Sequence, residues 1–338
     1  MTATANGASL EHPLGAEGLL SIRLRNGDVR IRAVDSDRVT IRDVDGHDLS
    51  GMFAVVLGEG NVSLRSTRDG GGSTPDLEID LPRRATLVVE TTSGDIEVDG
   101  LAGDQRYRTA SGEVQLRAVT NRIAVEAVSG DIDVVATGEA DVTVRTVSGD
   151  VALRAATLRS LRATTTSGDL KVAGRLLGPG PFTIVTVSGD MLLAPAGDVR
   201  VEMATLSGDL GSELDGLTES RRGHRSLRVG SGEPLVEFRS MSGDLNVVRP
   251  TVVPAATTAP GEAAPDPSAP ATDPPTERVP TSAPANGAIA AAYEDARLRI
   301  LRSLERGEID VEEAGLRLEA LDRGPGGPDA PTDGSTGG

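Results

Sequence analysis

The feature that most constrains the fold of this chain is a tripeptide, Ser-Gly-Asp, that recurs at near-constant spacing. Its glycines follow one another at steps of 18, 18, 19, 19, 21, 19 and 35 residues, and Glu replaces Asp only at Glu113. These glycines are Gly94, Gly112, Gly130, Gly149, Gly168, Gly189, Gly208 and Gly243. Self-similarity at a fixed period is the signature of a repeat architecture in which each copy adds one layer.

The repeat has irregular ends. The interval from Gly208 to Gly243 is close to two periods, which predicts that one turn between them has lost its signature. Upstream, Asn26-Gly27-Asp28 lies between apolar residues and is interpreted as a diverged first copy.

The flanks of each tripeptide alternate with the period of two that is typical of β-strands. Before Gly149, Val142 and Val144 occupy one face; after the turn, Val151 and Leu153 are the inward candidates. The position two residues before the Ser is always small: Thr91, Thr109, Ala127, Thr146, Thr165, Thr186, Thr205 and Ser240. Such a column is expected where coils stack at about 4.8 Å. We therefore predict a parallel β-solenoid of ~19-residue repeats over residues 18–249, with an all-β sandwich as the alternative.

Stacking would place the carboxylates of the turns in one row, which allows two interpretations. Carboxylate oxygens are ligands for Ca²⁺, so Asp131, Asp150, Asp169 and Asp190 are candidate cation ligands. Alternatively, Gly supplies a positive φ while Ser and Asp side chains bond to nearby backbone N–H groups. We favour turn chemistry, because each turn offers only one carboxylate.

Composition excludes several classes of function. The chain has no Cys, three His, two Tyr, three Phe and no Trp, with a formal net charge of −17. Disulfides and thiolate metal sites are excluded, and nothing in the sequence indicates a cofactor. Nucleic acid is not an expected partner, because its binding requires a basic surface and, for single strands, aromatic stacking platforms.

The sequence predicts a protein that is not an enzyme. Parallel β-helices include polysaccharide lyases and hydrolases, and glycoside hydrolysis needs two carboxylates at a defined separation. Here the carboxylates are spread evenly with the repeat. His224 falls in a polar loop and is predicted to be a surface residue. One local basic patch contains Arg221, Arg222, Arg225 and Arg228.

Outside the repeats, the chain changes character. Residues 1–17 are predicted to be a disordered tail, and residues 250–287, which include ten prolines, an extended linker. Residues 288–323 are predicted to form a helical hairpin, whose second helix starts with Asp310 as N-cap and Glu313 in a capping box. Two short helices bury little by themselves, so we expect homo-oligomerisation or docking through them. Residues 324–338 are predicted to be a disordered tail.

Two further observations bear on localisation. Residues 1–16 lack a charged segment followed by an apolar one, so no secretory signal is predicted. No apolar run reaches the ~20 residues that a transmembrane helix needs. The expectation from the residues is therefore a cytoplasmic protein without a transmembrane segment.

The repeated Ser-Gly-Asp-(Ile/Val/Leu) resembles the bacterial putative-adhesin family, domains of unknown function built from β-strand repeats with a recurring Gly-Asp. Residues 300–314, Ile-Leu-Arg-Ser-Leu-Glu-Arg-Gly-Glu-Ile-Asp-Val-Glu-Glu-Ala, are similar to a short two-helix domain of the oligomerisation type that is often attached to such repeats. The resemblance implies a solenoid, a non-enzymatic role, association with the cell surface and a link to envelope stress.

The resulting hypothesis is a non-enzymatic β-solenoid scaffold, or adhesin, that presents a repetitive surface to a protein or cell-envelope partner. Two alternatives remain. A polysaccharide-active β-helix enzyme would require a groove with an irregular cluster of acidic and basic residues. A self-polymerising cytoskeletal rod would require end coils that pair edge to edge.

Overall fold

The protein is described by a computed structural model that covers residues 4–6, 9–67, 76–221 and 223–250. The predicted linker, helical hairpin and C-terminal tail, with Arg222 of the basic patch, lie outside the described residues. Within the described ranges the chain is almost entirely β-structure, and none of their helices is long and apolar enough to span a membrane.

The described N-terminal part of the chain contains eight strands and one short helix. They are β1 (Thr4–Asn6), β2 (Ser9–Pro13), β3 (Leu19–Arg23), β4 (Val29–Val34), β5 (Arg38–Asp43), α1 (Leu49–Met52), β6 (Phe53–Gly58), β7 (Asn61–Ser66) and β8 (Leu77–Pro82). The central strands are β9 (Thr86–Ser93), β10 (Ile96–Asp99), β11 (Gln105–Ser111), β12 (Val114–Ser129), β13 (Ile132–Arg145), β14 (Val151–Thr164) and β15 (Leu170–Leu176).

The C-terminal strands are shorter than the longest central ones. They are β16 (Phe182–Val185), β17 (Met191–Pro195), β18 (Val199–Ser207), β19 (Leu210–Ser212), β20 (Leu217–Arg221), β21 (His224–Val229), β22 (Leu235–Ser242) and β23 (Leu245–Val247).

Each coil consists of a strand that leads into a turn and a strand that leaves it, so the coils form a pre-turn face and a post-turn face. Neighbouring coils pair in parallel: Val114 lies beside Ile132, Ile132 beside Val151, and Val151 beside Leu170. These steps of 18 to 19 residues match the sequence period. The register is that of a solenoid-like stack, and the parallel pairing rules out the antiparallel sandwich for these coils.

The far corner of the coil, opposite the turn, is formed within long strands. In β12 the backbone bends where Ala118 and Asn121 adopt φ values of 52° and 71°. The same strand therefore starts on the post-turn face of one coil and ends on the pre-turn face of the next. This continuity joins the two faces into one ladder.

The hydrophobic core lies between the two faces and consists mostly of aliphatic side chains. Val142 and Val144 of the pre-turn face are each 1% exposed, and Leu153 of the post-turn face is also 1% exposed. Their predicted inward orientation is confirmed. The rings of Tyr107, Phe182 and Phe238 are also fully buried, so the stack accommodates large side chains.

At the C-terminal end the spatial order of the coils differs from their sequence order. β23 pairs with β17 on one side and with β19 on the other, so the coil that contains Gly243 is inserted before the coil that contains Gly208. The residues between them form the antiparallel hairpin β20–β21, which packs against β18. The prediction of a lost turn in this interval is therefore wrong: the extra residues form a hairpin and not a coil.

The N-terminal end shows the same exchange. β3 pairs with β7 and with β9, and β4 pairs with β8 and with β10, so the later coil β7–β8 lies outside the earlier coil β3–β4. Antiparallel strands then cover this outer coil, β6 on the pre-turn face and β5 on the post-turn face. β2 and β1 extend the post-turn face further.

Candidate interaction surface along the turn edge

The Ser-Gly-Asp turns stack into a single row, here called the turn edge. Gly149 has a φ of 126°, and a Cβ built on it would lie 2.2 Å from the carbonyl oxygen of Gly130. Both the conformation and the close backbone approach require glycine. The same approach to the preceding coil recurs at Gly94, Gly112, Gly130, Gly168, Gly189, Gly208 and Gly243.

A ladder of hydrogen bonds runs along the carboxylates of the turn edge. The backbone N–H of Asp150 donates to Oδ1 of Asp131 at 2.9 Å, and that of Asp169 donates to Oδ1 of Asp150 at 2.9 Å. The same bond joins Asp190 to Asp169, Asp244 to Asp190, and Asp209 to Asp244. The carboxylates of Asp131, Asp150, Asp169, Asp190 and Asp244 thus each accept a backbone N–H from the next coil, which offsets the repulsion within the row.

The ladder begins before the first Ser-Gly-Asp tripeptide. Asp95 N–H donates to Asp28 Oδ1 at 2.9 Å, and Asp28 N–H donates to Asp76 Oδ1 at 2.9 Å. Ser93 Oγ also lies 2.9 Å from Asn26 Oδ1. The interpretation of Asn26-Gly27-Asp28 as a diverged copy is confirmed. Asp76 could not be identified from the tripeptide, because no Ser-Gly precedes it. The one sequence feature that points to it is its position just before β8, in which apolar and polar residues alternate.

Glu113 interrupts the ladder. Its backbone N–H donates to Asp95 Oδ1 at 2.8 Å, but its own carboxylate makes no bond to the N–H of Asp131 among the described contacts. Instead, Glu113 Oε1 accepts from Gln115 Nε2 at 2.7 Å. The extra methylene of Glu carries the carboxylate past the position that Asp occupies in other coils.

Arg225 closes the ladder at the C-terminal end. Asp209 belongs to the outermost coil, so no further coil offers an N–H to its carboxylate. Arg225 Nη2 lies 2.9 Å from Asp209 Oδ1, and Nη1 donates to the carbonyl oxygen of Gly208. The hairpin β20–β21 thus supplies a cation in place of the missing backbone donor.

The small-residue column lies directly inside the turn edge. Thr109 is fully buried, and its Oγ1 donates to the carbonyl oxygen of Ser111 at 3.0 Å. The equivalent bond is made by Thr91, Thr146, Thr165, Thr186 and Thr205. Each Thr of the column thus donates a hydrogen bond to a carbonyl oxygen of its own turn. Ala127 cannot do so, because it has no hydroxyl group.

The candidate cation ligands Asp131, Asp150, Asp169 and Asp190 lie in the row that the sequence predicts. Their Oδ1 atoms accept from backbone N–H groups of adjacent coils. The described residues contain no group of three or more His, Asp or Glu side chains arranged to hold a metal ion. These hydrogen bonds cross between coils, whereas the prediction placed them near each residue's own turn.

Beside the carboxylate row, the residue before each Ser varies between Thr, Ala and larger apolar side chains, and the apolar ones become exposed towards the C-terminal end. Val128 is 1% exposed, whereas Val187 is 43%, Met241 55% and Leu206 83% exposed. The last three belong to consecutive coils, since Ser188 pairs with Ser242 and Ser207 pairs with Ser242. They form a contiguous surface, here called the apolar patch, about 10 Å long.

A shallow groove lies on the post-turn face near the N-terminal end, with a volume of about 250 Å³. Its charged side chains are Arg30, Arg32, Arg42, Glu78, Asp80, Glu97 and Asp99. Asp80 Oδ1 lies 3.0 Å from Arg32 and its Oδ2 3.1 Å from Arg42, while Glu97 Oε1 lies 3.1 Å from Arg117. This is the irregular cluster that the enzyme alternative requires, but two of its carboxylates are bound by guanidinium groups.

The histidines lie far apart in the chain and take different positions. His12 is mostly buried, with Nε2 3.0 Å from the carbonyl oxygen of Gly58, and His47 Nδ1 lies 2.8 Å from Asp43 Oδ2. His224 is exposed, as predicted.

The predicted basic patch is divided between separate structural contacts. Arg228 Nη2 donates to the carbonyl oxygen of Ser231 at 2.8 Å, whereas Arg225 caps the ladder. The backbone N–H of Ser231 in turn donates to Asp198 and lowers the pKa of that carboxyl.

Comparison with known proteins places the chain in context. A family model described as Toastrack DUF4097 matches residues 20–158 and 139–248, and one described as a SHOCT-like domain matches residues 296–326. The second match fits a small additional domain after the repeats. No curated protein matches the chain.

Several solved structures are similar at low identity. A protein from Parabacteroides distasonis described as a putative lipid binding protein is 11% identical, with a TM-score of 0.41, over 73% of this chain and 98% of that one. A putative adhesin from Bacteroides fragilis is 10% identical, with a TM-score of 0.36, over 71% and 95%. Another putative adhesin from Parabacteroides distasonis is 12% identical, with a TM-score of 0.35, over the same shares.

The family assignment rests on the family model. Its two matches together run from residue 20 to residue 248 of the 338-residue chain, which is more than half, and they cover all eight Ser-Gly-Asp or Ser-Gly-Glu turns. The resemblance indicated by these turns is confirmed: the chain belongs to the Toastrack DUF4097 family, a domain family of unknown function.

Proposed function

We propose that this protein is a non-enzymatic scaffold whose turn edge binds a protein or cell-envelope partner. The observation that carries the proposal is the apolar patch of Val187, Met241 and Leu206, which lies beside the carboxylate row. Large apolar side chains rarely cluster on a monomer surface without a binding role. A partner that fits this surface combines an apolar segment with flanking positive charge.

The stacked register supports the scaffold role. Because the coils repeat at about 4.8 Å, any feature of one turn recurs along the row at a fixed spacing. A rigid row of this kind suits an extended or repetitive partner better than a small ligand. The adhesin names of similar proteins agree with such a role, and association with the cell surface belongs to the same proposal.

The segment 288–323 is the second part of the proposal. Its apolar positions, such as Ile300, Leu301 and Leu318, would form one face if both segments are helical. The SHOCT-like match over residues 296–326 supports a separate small domain there. We assign to it docking or homo-oligomerisation, with residues 250–287 as the tether.

The enzyme alternative is less well supported by the groove. The carboxylates of Asp80 and Glu97 are each engaged in ion pairs with Arg side chains. The residues that line the groove include no aromatic ring for sugar stacking. The groove is better explained as a set of ion pairs between neighbouring coils.

The experiment that tests the proposal is affinity capture of cell-envelope extracts on the full-length protein and its variants. The double variant Leu206→Asp/Met241→Asp places charge in the apolar patch and should abolish retention of partners. Leu217→Asp is the matched control, because Leu217 is 75% exposed but lies on the outer hairpin strand β20. It should leave retention unchanged.

A third variant separates the two parts of the proposal. Leu301→Asp/Leu318→Asp changes only the segment 288–323. Loss of partners in this variant alone would assign binding to the C-terminal segment and contradict the turn-edge proposal. Equal retention by all variants would contradict both parts.

A further inference from the structure

The strand β6 forms an edge of the pre-turn face that is open and almost wholly apolar. Its sequence is Phe-Ala-Val-Val-Leu-Gly, with no charged residue and no proline. Val56 is 66% exposed and Leu57 38% exposed. An edge strand with these properties is a template for pairing with another strand.

The pairing with β7 leaves one side of β6 without partners. Gly58 lies opposite Asn61 across the tight Glu59-Gly60 turn, and the N–H of Thr67 donates to the carbonyl oxygen of Met52 at 3.0 Å. In an antiparallel ladder, bonded residues alternate. The even-numbered residues 52 to 58 therefore bond to β7, and the N–H and C=O groups of Phe53, Val55 and Leu57 point to the open side. No strand among the described residues pairs there.

The opposite end of the pre-turn face is protected. Its outermost strand, β20, carries Glu219 and Arg221, and every one of its residues is exposed. Charges on an edge strand oppose further pairing. The two ends of the pre-turn face therefore differ in chemistry: one is a charged hairpin and the other an apolar strand.

We propose that the open edge of β6 pairs with β6 of a second copy of this chain. A two-fold axis at Val55 would place Val55 opposite Val55 of the second copy and Phe53 opposite Leu57. These are the residues whose backbone groups have no strand partner among the described residues, so each donor would meet an acceptor. On the exposed face, Ala54 would lie opposite Val56, which joins two apolar side chains.

Two features favour a second copy over other occupants. The pairing is self-complementary, since an uncharged strand meets its own sequence and no like charges face one another. The chain's own segment 250–287 is a poor candidate for this edge, because ten prolines between Pro250 and Pro284 remove the donors that a strand needs.

The symmetry limits the size of the assembly. A two-fold contact between identical edges closes on itself, and the charged hairpin at the other end does not extend it. The assembly is a dimer with a continuous pre-turn face and a turn edge at each side of the axis. This inference goes beyond the proposed scaffold role and replaces the self-polymerising rod with a closed dimer.

The oligomeric state of the full-length protein, measured by sedimentation equilibrium over a range of concentrations, tests the proposal. Val55→Pro removes a donor only from the open side, and should weaken dimerisation at least about tenfold. Val56→Glu adds a charge at an exposed position of the same edge and should have the same effect. Leu217→Glu, at the opposite end, is the matched control and should dimerise like the wild type.

The two edge variants, Val55→Pro and Val56→Glu, test the same β6 pairing in different ways. If Val55→Pro lowers the melting temperature, Val56→Glu alone decides the test, because the side chain of Val56 points to solvent and its replacement should not affect folding. A wild-type protein that stays monomeric at every concentration would overturn the proposal. So would a dimer that persists when Val56→Glu is combined with Leu301→Asp/Leu318→Asp, the variant that alters the segment 288–323, or a dimer that is lost in Leu217→Glu.

Disulfide formation tests the register, since the chain has no cysteine of its own. Opposite side chains in a non-hydrogen-bonded antiparallel pair have Cβ atoms about 4.5–5.5 Å apart, close enough to cross-link after a small shift. A mixture of Ala54→Cys and Val56→Cys proteins should give a mixed cross-linked dimer faster than either protein alone. Equal rates in all three samples would contradict this register.

Discussion

The guanidinium group of Arg225 donates to the carboxylate of Asp209 at 2.9 Å and so terminates the ladder that runs along the turn edge from Asp131. Every other Asp carboxylate of the ladder accepts a backbone N–H from its neighbouring coil. The last one cannot, and the side chain of a hairpin residue replaces that donor. The hairpin that reorders the C-terminal coils thus also completes their polar edge.

Removal of Arg225 should destabilise the C-terminal end. We expect Arg225→Ala to lower the free energy of unfolding by about 1 kcal/mol, since the pair is partly exposed but also holds the Gly208 carbonyl. Arg239→Ala is the control, because the one ion pair of Arg239 among the described residues is with Glu237 of its own strand. Urea denaturation measures both; equal losses would contradict a capping role.

The ladder requires an acceptor at each Asp and not a charge. Asp150→Ala leaves the N–H of Asp169 without its partner and should cost about 1–2 kcal/mol. Asp150→Asn retains a side-chain oxygen of the same length and should cost less than half of that. Thermal melting of both variants separates the effects, and a larger loss in the Asn variant would contradict this account.

Binding of Ca²⁺ by the carboxylates of the turn edge can be measured separately from the strength of the hydrogen-bond ladder. A ligand that binds only the folded state raises its stability with concentration. We expect equal melting temperatures in Ca²⁺ and in chelator, because Oδ1 of Asp131, Asp150 and Asp169 already accepts a backbone N–H. A rise in Ca²⁺ that disappears in Asp150→Asn would instead establish a cation site.

Glu113 offers a gain-of-stability test. Glu113→Asp shortens the side chain to the length found in the other coils and should let it accept the N–H of Asp131. We expect a gain of about 0.5–1.5 kcal/mol in the free energy of unfolding. Asp95→Glu, which introduces the same defect one coil earlier, is the reciprocal control and should destabilise. No change in either variant would show that the ladder bonds do not affect stability.

Much of the fold could be predicted from the repeat, because its period is local. The alternation around Gly149 defines which side chains point inward, and the spacing defines the parallel register. The order of the end coils could not be predicted in this way. The order of the end coils depends on which neighbouring strands β7 and β23 pair with. The alternative pairings satisfy the same local pattern of alternating residues. The roles of Asp76 and Arg225 follow from that order, so they could not be predicted either.

Tyr107 is fully buried in β11. Its hydroxyl donates to Gln105 Oε1 at 2.9 Å, and Gln105 Nε2 in turn lies 3.1 Å from the carbonyl oxygen of Leu101. Burial raises the pKa of this phenol well above its usual value, because the folded state disfavours the phenolate. The unfolded chain binds the proton less tightly than the folded chain.

The stability from this group is therefore complete below about pH 10, the pKa of an exposed tyrosine, and is lost as the pH rises above it. The chain has only two tyrosines, Tyr107 and Tyr293, and no tryptophan, so phenolate absorbance reports on them directly. We expect Tyr107 to ionise only as the protein unfolds in alkali. Tyr107→Phe should remove this alkaline loss of stability, and it should cost about 1 kcal/mol at neutral pH by leaving Gln105 Oε1 without its donor. Ionisation of Tyr107 before any loss of β-sheet circular dichroism would contradict its burial.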